Sequence, residues 1–258
     1  MRPGRGTLSR ADAGDENERM WESYAQAYDR ILLRMPFYRE VVARHVKAMT
    51  QAHVLRVIDI GAGTGNVTLQ LVRAGREVTA VDSSPAMLAC LRAKLPQGDL
   101  SNPRIIRHSA EELGQFADGS FDGASILLAL YAVERPKDAL QEVLRLLRPG
   151  GAIVITEPRR CFDLRALLDA AEGFLRDDGA LEPMREDWER VKECNERFDP
   201  GKRPTLSSED IFERFRSLGF ERLSFEDSHM GHCGTIRGCK PAGLAPTDRC
   251  VDGRASAR

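Results

Sequence analysis

The segment Val57, Ile58, Asp59, Ile60, Gly61, Ala62, Gly63, Thr64, Gly65 runs an apolar stretch into a glycine loop that opens a helix. That geometry brings backbone N–H groups against a ligand and favours an anionic group at the helix start. Glycine also serves purely structural turns, so the loop takes its meaning from the strand after it. The next apolar run ends in Val81, Asp82, which places a carboxylate at the carboxyl edge of the neighbouring strand, where it can accept from both hydroxyls of a ribose. The alternative is an Asp82 that caps the helix starting near Pro85, and the two roles can coexist. A dinucleotide fingerprint wants Gly or Ala at the sixth loop position, which here is Asn66. None of the four tyrosines has Lys four residues on, as a short-chain dehydrogenase pair requires. The ligand expected is therefore nucleotide-like, and neither NAD nor FAD.

Four further side chains stand where proton transfer would be needed: Tyr131 after the fourth apolar run, Glu157 after the fifth, and His229 and His232 in the last turn. An imidazole titrates near neutral pH, which suits His229 to a base. His229, His232, Cys233 and Cys239 are also zinc-binding types, but their spacing matches no usual zinc pattern. No metal is expected.

The elements that must carry these residues emerge from the periodicity. From Val54 short apolar runs alternate with amphipathic stretches: 54–60, a helix to about 74, 77–81, a helix over 85–95, 104–107, 121–130, a helix over 136–147, and 152–156 after the turn Pro149, Gly150, Gly151. Strand and helix in alternation predict a parallel sheet with helices on both faces. Residues 158–206 break the rhythm. Leu164, Leu167, Leu168, Phe174 and Leu175 form one apolar helical face there, so a helical cap is expected. Ser207 and Ser208 cap a helix closed by Gly219, and 220–225 and 235–239 read as an antiparallel hairpin whose turn, 228–233, lies at the carboxyl edge of the sheet. Residues 18–53 form two helices around Pro36 that act as a lid. Residues 1–17 are too poor in apolar side chains to order and are expected to be a disordered leader, and 242–258 a flexible tail. The core then comprises 54–157 and 207–241.

Composition narrows the function. With 42% hydrophobic and 30% charged residues, the chain can bury a full core, and 38 Lys plus Arg against 39 Asp plus Glu gives no broad attraction to nucleic acid or an anionic membrane. Six cysteines without a CxxC pair fit reduced thiols in the cytoplasm. No apolar stretch approaches the roughly 20 residues that cross a bilayer.

These motifs together resemble the class I S-adenosylmethionine-dependent methyltransferases, the small-molecule type that includes the ubiquinone and menaquinone methyltransferases. The resemblance rests on Val57–Gly65, on Val81, Asp82, Ser83, Ser84, Pro85, Ala86, Met87, Leu88, on Gly119, Ser120, Phe121, Asp122, on Leu144–Gly151, and on the entry helix with Trp21, Ala25, Tyr28, Asp29. It implies a Rossmann-like seven-stranded sheet, S-adenosyl-L-methionine as cofactor, and methyl transfer to an O, N or C atom of a small organic acceptor by a monomer or homodimer. It further implies that Gly61, Ala62 and Gly63 hold the methionine end with Asp59 balancing its ammonium, that Asp82 takes the ribose, and that Ser83 and Met87 form one wall of the adenine slot. Ser109, Ala110 and Glu111 occupy the third loop, with Ser109 where the family has Asp. The Leu127 carbonyl passes the methionine amine, and Tyr24 and Tyr28 close over the cofactor or pack in the core. Alternatives within the same fold are a non-methylating use of the sulfonium, such as cyclisation, and a non-catalytic scaffold.

Overall fold

The computed structural model describes residues 10–96, 103–202 and 205–242. Its centre is a seven-stranded sheet in the order β3-β2-β1-β4-β5-β7-β6. The strands are β1 (Arg56–Ile60), β2 (Glu77–Asp82), β3 (Arg104–Arg107), β4 (Phe121–Leu127), β5 (Leu147–Pro158), β6 (Glu221–Ser228) and β7 (Cys233–Cys239). β1 to β5 pair parallel, whereas β7 runs antiparallel to both β5 and β6. This is the expected Rossmann-like sheet with an antiparallel hairpin. The last three strands run further than the sequence predicts, β6 continuing to Ser228 because polar Glu226, Asp227 and Ser228 still pair with Thr235, Gly234 and Cys233, whereas β4 stops at Leu127, short of the expected 130, where the chain turns at Leu128 (φ +50°).

Strand periodicity of two sorts the core into two layers. Val57, Val78, Ala152 and Val154 face one side of the sheet, against α1 (Arg10–Leu32), α2 (Pro36–Gln51), α6 (Leu164–Asp177) and α7 (Arg185–Arg197). Ile58, Ile60, Ala124, Ile126, Ile153 and Ile155 face the other, against α5 (Pro136–Leu146) and α8 (Ser208–Ser217). α3 (Thr68–Arg73) and α4 (Pro85–Ala93) complete the βα units. α2 starts with Pro36 at its first turn, where a missing N–H costs nothing. α8 opens on a full capping box between Ser207 and Asp210, and Gly219 (φ +73°) ends it.

The segment 158–206 carries the two helices α6 and α7. α1 begins at Arg10, well inside the leader expected over 1–17. Ala, Glu and Arg are good helix formers, and a helix seeded by the packed turns from Met20 onward propagates outward one hydrogen bond per residue. Residues 1–9 and the tail from 243 lie outside the described residues.

Candidate functional site

β1 is the point where chain order reverses, with β2 on one side and β4 on the other, and open α/β sheets hold ligands at the carboxyl edge of such a point. A cleft of about 610 Å³ lies there. The loop after β1 contributes Gly61 and Gly63, and the end of β2 contributes Asp82, Ser83 and, one turn into α4, Met87. Ser109, Ala110 and Glu111 come from the loop after β3, Leu127 from the end of β4, and Tyr28 from α1. Ten of the expected cofactor residues thus share one cavity.

The glycine loop works differently from the expectation. The N–H groups of Gly61 and Ala62 both donate to the Val81 carbonyl, at 2.8 and 3.0 Å, and that of Gly63 donates to Asp82 Oδ2 at 2.8 Å. These donors tie the loop to β2 and are not free for an anion. Ala62 is buried and its side chain packs with Ala80, Leu88 and Leu91, away from the cleft. The glycines instead make room. A Cβ on Gly61 would sit 2.3 Å from Ala129 Cβ, whereas one on Gly63 (φ +54°) would meet nothing nearer than 3.9 Å and would occupy the cleft.

Asp82 accepts from Gly63 N and Ser84 N, each at 2.8 Å, one bond per carboxylate oxygen, and burial holds its pKa above the ordinary value. Each oxygen keeps a lone pair toward the cleft. The cap of α4 is Ser84, whose hydroxyl accepts from Met87 N, so Asp82 shapes the loop without being the cap. Across the cleft the Ser109 hydroxyl donates to Glu111 Oε2 at 3.0 Å, and Glu111 Oε1 accepts from Arg135 N. Asp82, Glu111 and Glu134 line the cleft against one cation, Arg107, so it suits a positively charged ligand.

Asp59 does not reach this cleft. It shares the β1 face of Val57, which points toward α2, and it accepts from Thr68 Oγ1 at 2.6 Å and Ser125 Oγ at 2.8 Å. Burial pushes it up to about 6 against those two bonds. The Ser125 proton is spent on Asp59, so Ser125 Oγ accepts from His45 Nε2 at 3.0 Å. His45 Nδ1 then accepts from Thr156 Oγ1 at 2.9 Å, and Thr156 meets Thr235 Oγ1 at 2.9 Å. Burial lowers His45 to about 3, which keeps it neutral. This buried chain crosses four strands beneath α2, and nothing in the sequence pattern announced it.

A second cavity, of about 70 Å³, adjoins the first. Tyr28, Leu128 and Phe198 line both, so the two cavities are neighbours. Tyr24, Tyr131 and His229 line only the second, so Tyr24 faces away from the cleft it was expected to close. All four tyrosines converge here: the Tyr28 and Tyr38 hydroxyls are 2.7 Å apart, and Asn195 Nδ2 donates to Tyr24 Oη at 3.5 Å. The cap supplies Leu164, Leu167 and Leu168, and no Lys, Arg, Asp or Glu lines this cavity.

The other two proton-transfer candidates are engaged elsewhere. Glu157 accepts the N–H groups of Ala129, Leu130 and Tyr131 at 2.8, 2.8 and 3.2 Å, and burial holds it at about 7. It therefore props the turn after β4, in which Leu128 has a left-handed backbone (φ +50°). His232 Nδ1 accepts from Asp163 N at 3.3 Å and lines neither cavity. Among the described residues no group of three His, Cys, Asp or Glu side chains converges as a metal would need.

Residues 58–155 match the model of a family described as a methyltransferase domain. The ubiquinone/menaquinone biosynthesis C-methyltransferase UbiE of Azotobacter vinelandii is 33% identical over 194 residues, which cover 72% of this chain and 74% of that one. The chain belongs to the class I S-adenosylmethionine-dependent methyltransferases. A demethylmenaquinone methyltransferase of Clavibacter sepedonicus is 29% identical over 87% of this chain and 90% of its own. Among solved structures, a methyltransferase of Thermotoga maritima described as a possible histamine N-methyltransferase superposes with a TM-score of 0.53 over 86% of this chain and 99% of that one, at 21% identity. At that identity it speaks for the fold.

The methyltransferase uses S-adenosyl-L-methionine, a cation at its sulfonium, in keeping with the acidic lining of the larger cleft. Three contacts around the two cavities were not foreseen. Asp29 accepts from Thr64 Oγ1 at 2.7 Å and Asn66 Nδ2 at 3.1 Å and pairs with Lys94, which fastens α1 to the glycine loop. Trp21 stacks on Phe198 with centroids 4.8 Å apart, closing the roof between α1 and the cap. Glu157 props the wall common to both cavities. Trp21 and Asp29 stood together in the entry-helix motif and Glu157 among the proton-transfer candidates, but nothing in the sequence pointed to these contacts.

Proposed function

We propose that this methyltransferase binds its cofactor in the larger cleft and a small, neutral, largely apolar acceptor in the smaller cavity, with transfer past Tyr28, Leu128 and Phe198. The observation that carries this reading is the second cavity, lined by no Lys, Arg, Asp or Glu, which shares three lining residues with the first. Moving an ionic acceptor into such a lining would forfeit several kcal/mol of hydration without a counter-charge. A water needs roughly 10–15 Å³ measured this way, so about 70 Å³ admits a single ring or a chain of similar bulk.

The cofactor, when bound, would supply a methyl activated by the sulfonium, which the acceptor takes in line as the S–CH3 bond breaks and S-adenosylhomocysteine leaves. Asp82 takes the ribose hydroxyls, Ser83 and Met87 flank the base, Ser109 and Glu111 face its edge, and Gly61, Gly63, Leu127 and Tyr28 bound the methionine end. Ala110 completes the wall of the third loop. The chain's contribution is chiefly positioning and water exclusion, which together supply much of the rate in such displacements. His229 and Tyr131 meet the acceptor directly, whereas Tyr24 shapes its cavity. The acceptor class, a cytoplasmic location in keeping with the five free cysteines among the described residues, and the absence of a nucleic-acid partner belong to the same reading. Among the described residues no helix is long and apolar enough to cross a membrane. Nothing in the comparisons favours cyclisation.

The test is turnover against a panel of single-ring compounds, neutral and charged, followed by S-adenosylhomocysteine release and the mass gain of one methyl. Neutral members should be converted, and Leu168→Trp, which fills the smaller cavity, should abolish conversion while S-adenosylhomocysteine binding stays as in the wild type. Equal conversion of charged members, or full turnover by Leu168→Trp, would overturn the proposal.

A further inference from the structure

Resting on the acceptor cavity just proposed, we infer that His229 recognises a hydroxyl on the acceptor through its unprotonated Nε2, so that the substrate class is a neutral, hydroxyl-bearing ring. His229 Nδ1 lies 3.3 Å from the Phe37 carbonyl oxygen. A carbonyl can only accept, so Nδ1 carries the proton and Nε2 carries the lone pair. Among the described residues Nε2 has no hydrogen-bond partner, and the ring lines the smaller cavity. The Phe37 ring stands edge-on to the imidazole at 5.2 Å and fixes its plane.

The backbone points the same way. His229 and Met230 both have left-handed torsions, φ +54° and +55°, an arrangement that costs non-glycine residues energy and gathers at ligand sites. The turn that bears them is held at the carboxyl edge of the sheet by the pairing of Cys233 with Pro158. Burial keeps the imidazole neutral, down to about 4, so it accepts a hydrogen bond without taking the proton outright. Tyr131, beside it on the same cavity, adds a hydroxyl with no partner among the described residues. A lone pair facing a cavity without charged side chains selects for a donor, because an acceptor molecule without one leaves that nitrogen unsatisfied.

The probes are 4-methylphenol and 1,4-dimethylbenzene, which differ by hydroxyl against methyl, titrated calorimetrically into protein saturated with S-adenosylhomocysteine. The wild type should bind the phenol at least about tenfold more tightly. His229→Phe should bind both alike, and His229→Gln, whose amide oxygen can stand near Nε2, should recover part of the preference. Equal binding of the two probes by the wild type, or a preference undiminished in both variants, would overturn the inference and leave the acceptor cavity standing. Failure of both probes to bind the wild type would overturn the cavity itself, and this inference with it.

Discussion

Replacing Glu157 by Gln separates charge from shape in the turn that walls both cavities. The folded carboxyl titrates near 7 against an ordinary 4.5. Between those values the folded chain holds a proton that the unfolded chain has lost, so stability falls as pH rises through the window and levels off above it. A displacement of roughly 2.5 units corresponds to about 3 kcal/mol. Glu157→Gln removes that dependence but replaces one acceptor by an amide N–H group, facing Tyr131 N or the pair at Ala129 and Leu130. An unpaired buried N–H costs about 1–3 kcal/mol at any pH. The variant should therefore be less stable than the wild type at pH 5 by about 1–3 kcal/mol, and the deficit should close or reverse by pH 8. Urea unfolding of both proteins at the two pH values, read by tryptophan fluorescence, measures the difference. Asp59, also raised, is common to both and cancels. A stability difference that moves by less than about 0.5 kcal/mol between pH 5 and 8 would refute the reasoning.

Asp82→Ala should weaken S-adenosylmethionine binding by more than about 1.5 kcal/mol, over tenfold in dissociation constant, since it deletes charged acceptors for a ribose; calorimetry giving an unchanged constant would reduce Asp82 to a loop brace. Gly61→Ala should destabilise by about 2–4 kcal/mol, from a left-handed torsion and an overlap with Ala129. The double variant with Ala129→Gly should recover the overlap part in a denaturation cycle, and a strictly additive cycle would contradict the contact.

Much of this site was legible because it is local. Val57–Gly65 and Val81–Met87 each carry strand, turn and helix signals within a dozen residues, and Gly61, Gly63 and Asp82, with Ser83 and Met87 that the resemblance added, line one cleft. Ser228–Cys233 was legible as a turn because apolar alternation flanks it. The orientation of Asp59 was not, since a buried strand is apolar on both faces and only the partners Thr68, Ser125 and His45 decide which way a carboxylate turns. Tyr24 and Tyr28 lie one helical turn apart on the same face, and sequence spacing cannot tell that two cavities meet between them. Phe198 sits 177 residues from Trp21, its stacking partner, and no periodicity links such positions. Glu157 read as a possible base because three backbone donors that consume it belong to a different strand end.

α1 is a wall of the larger cleft, through Tyr28 and Trp21, and of the smaller cavity, through Tyr24 and Leu32. It is anchored to the glycine loop by Asp29 and to α7 by the paired hydrogen bonds of Arg30 with Asp187. The exposed Arg30 pair is worth little alone, so buried Tyr24, Ala27 and Ile31 carry the docking. A ligand that steadies this helix from one side lowers the ordering cost to be met on the other, and thermodynamic linkage makes the effect reciprocal. Acceptor and cofactor should then raise one another's affinity by the same factor, and the order in which they arrive becomes a property of one helix.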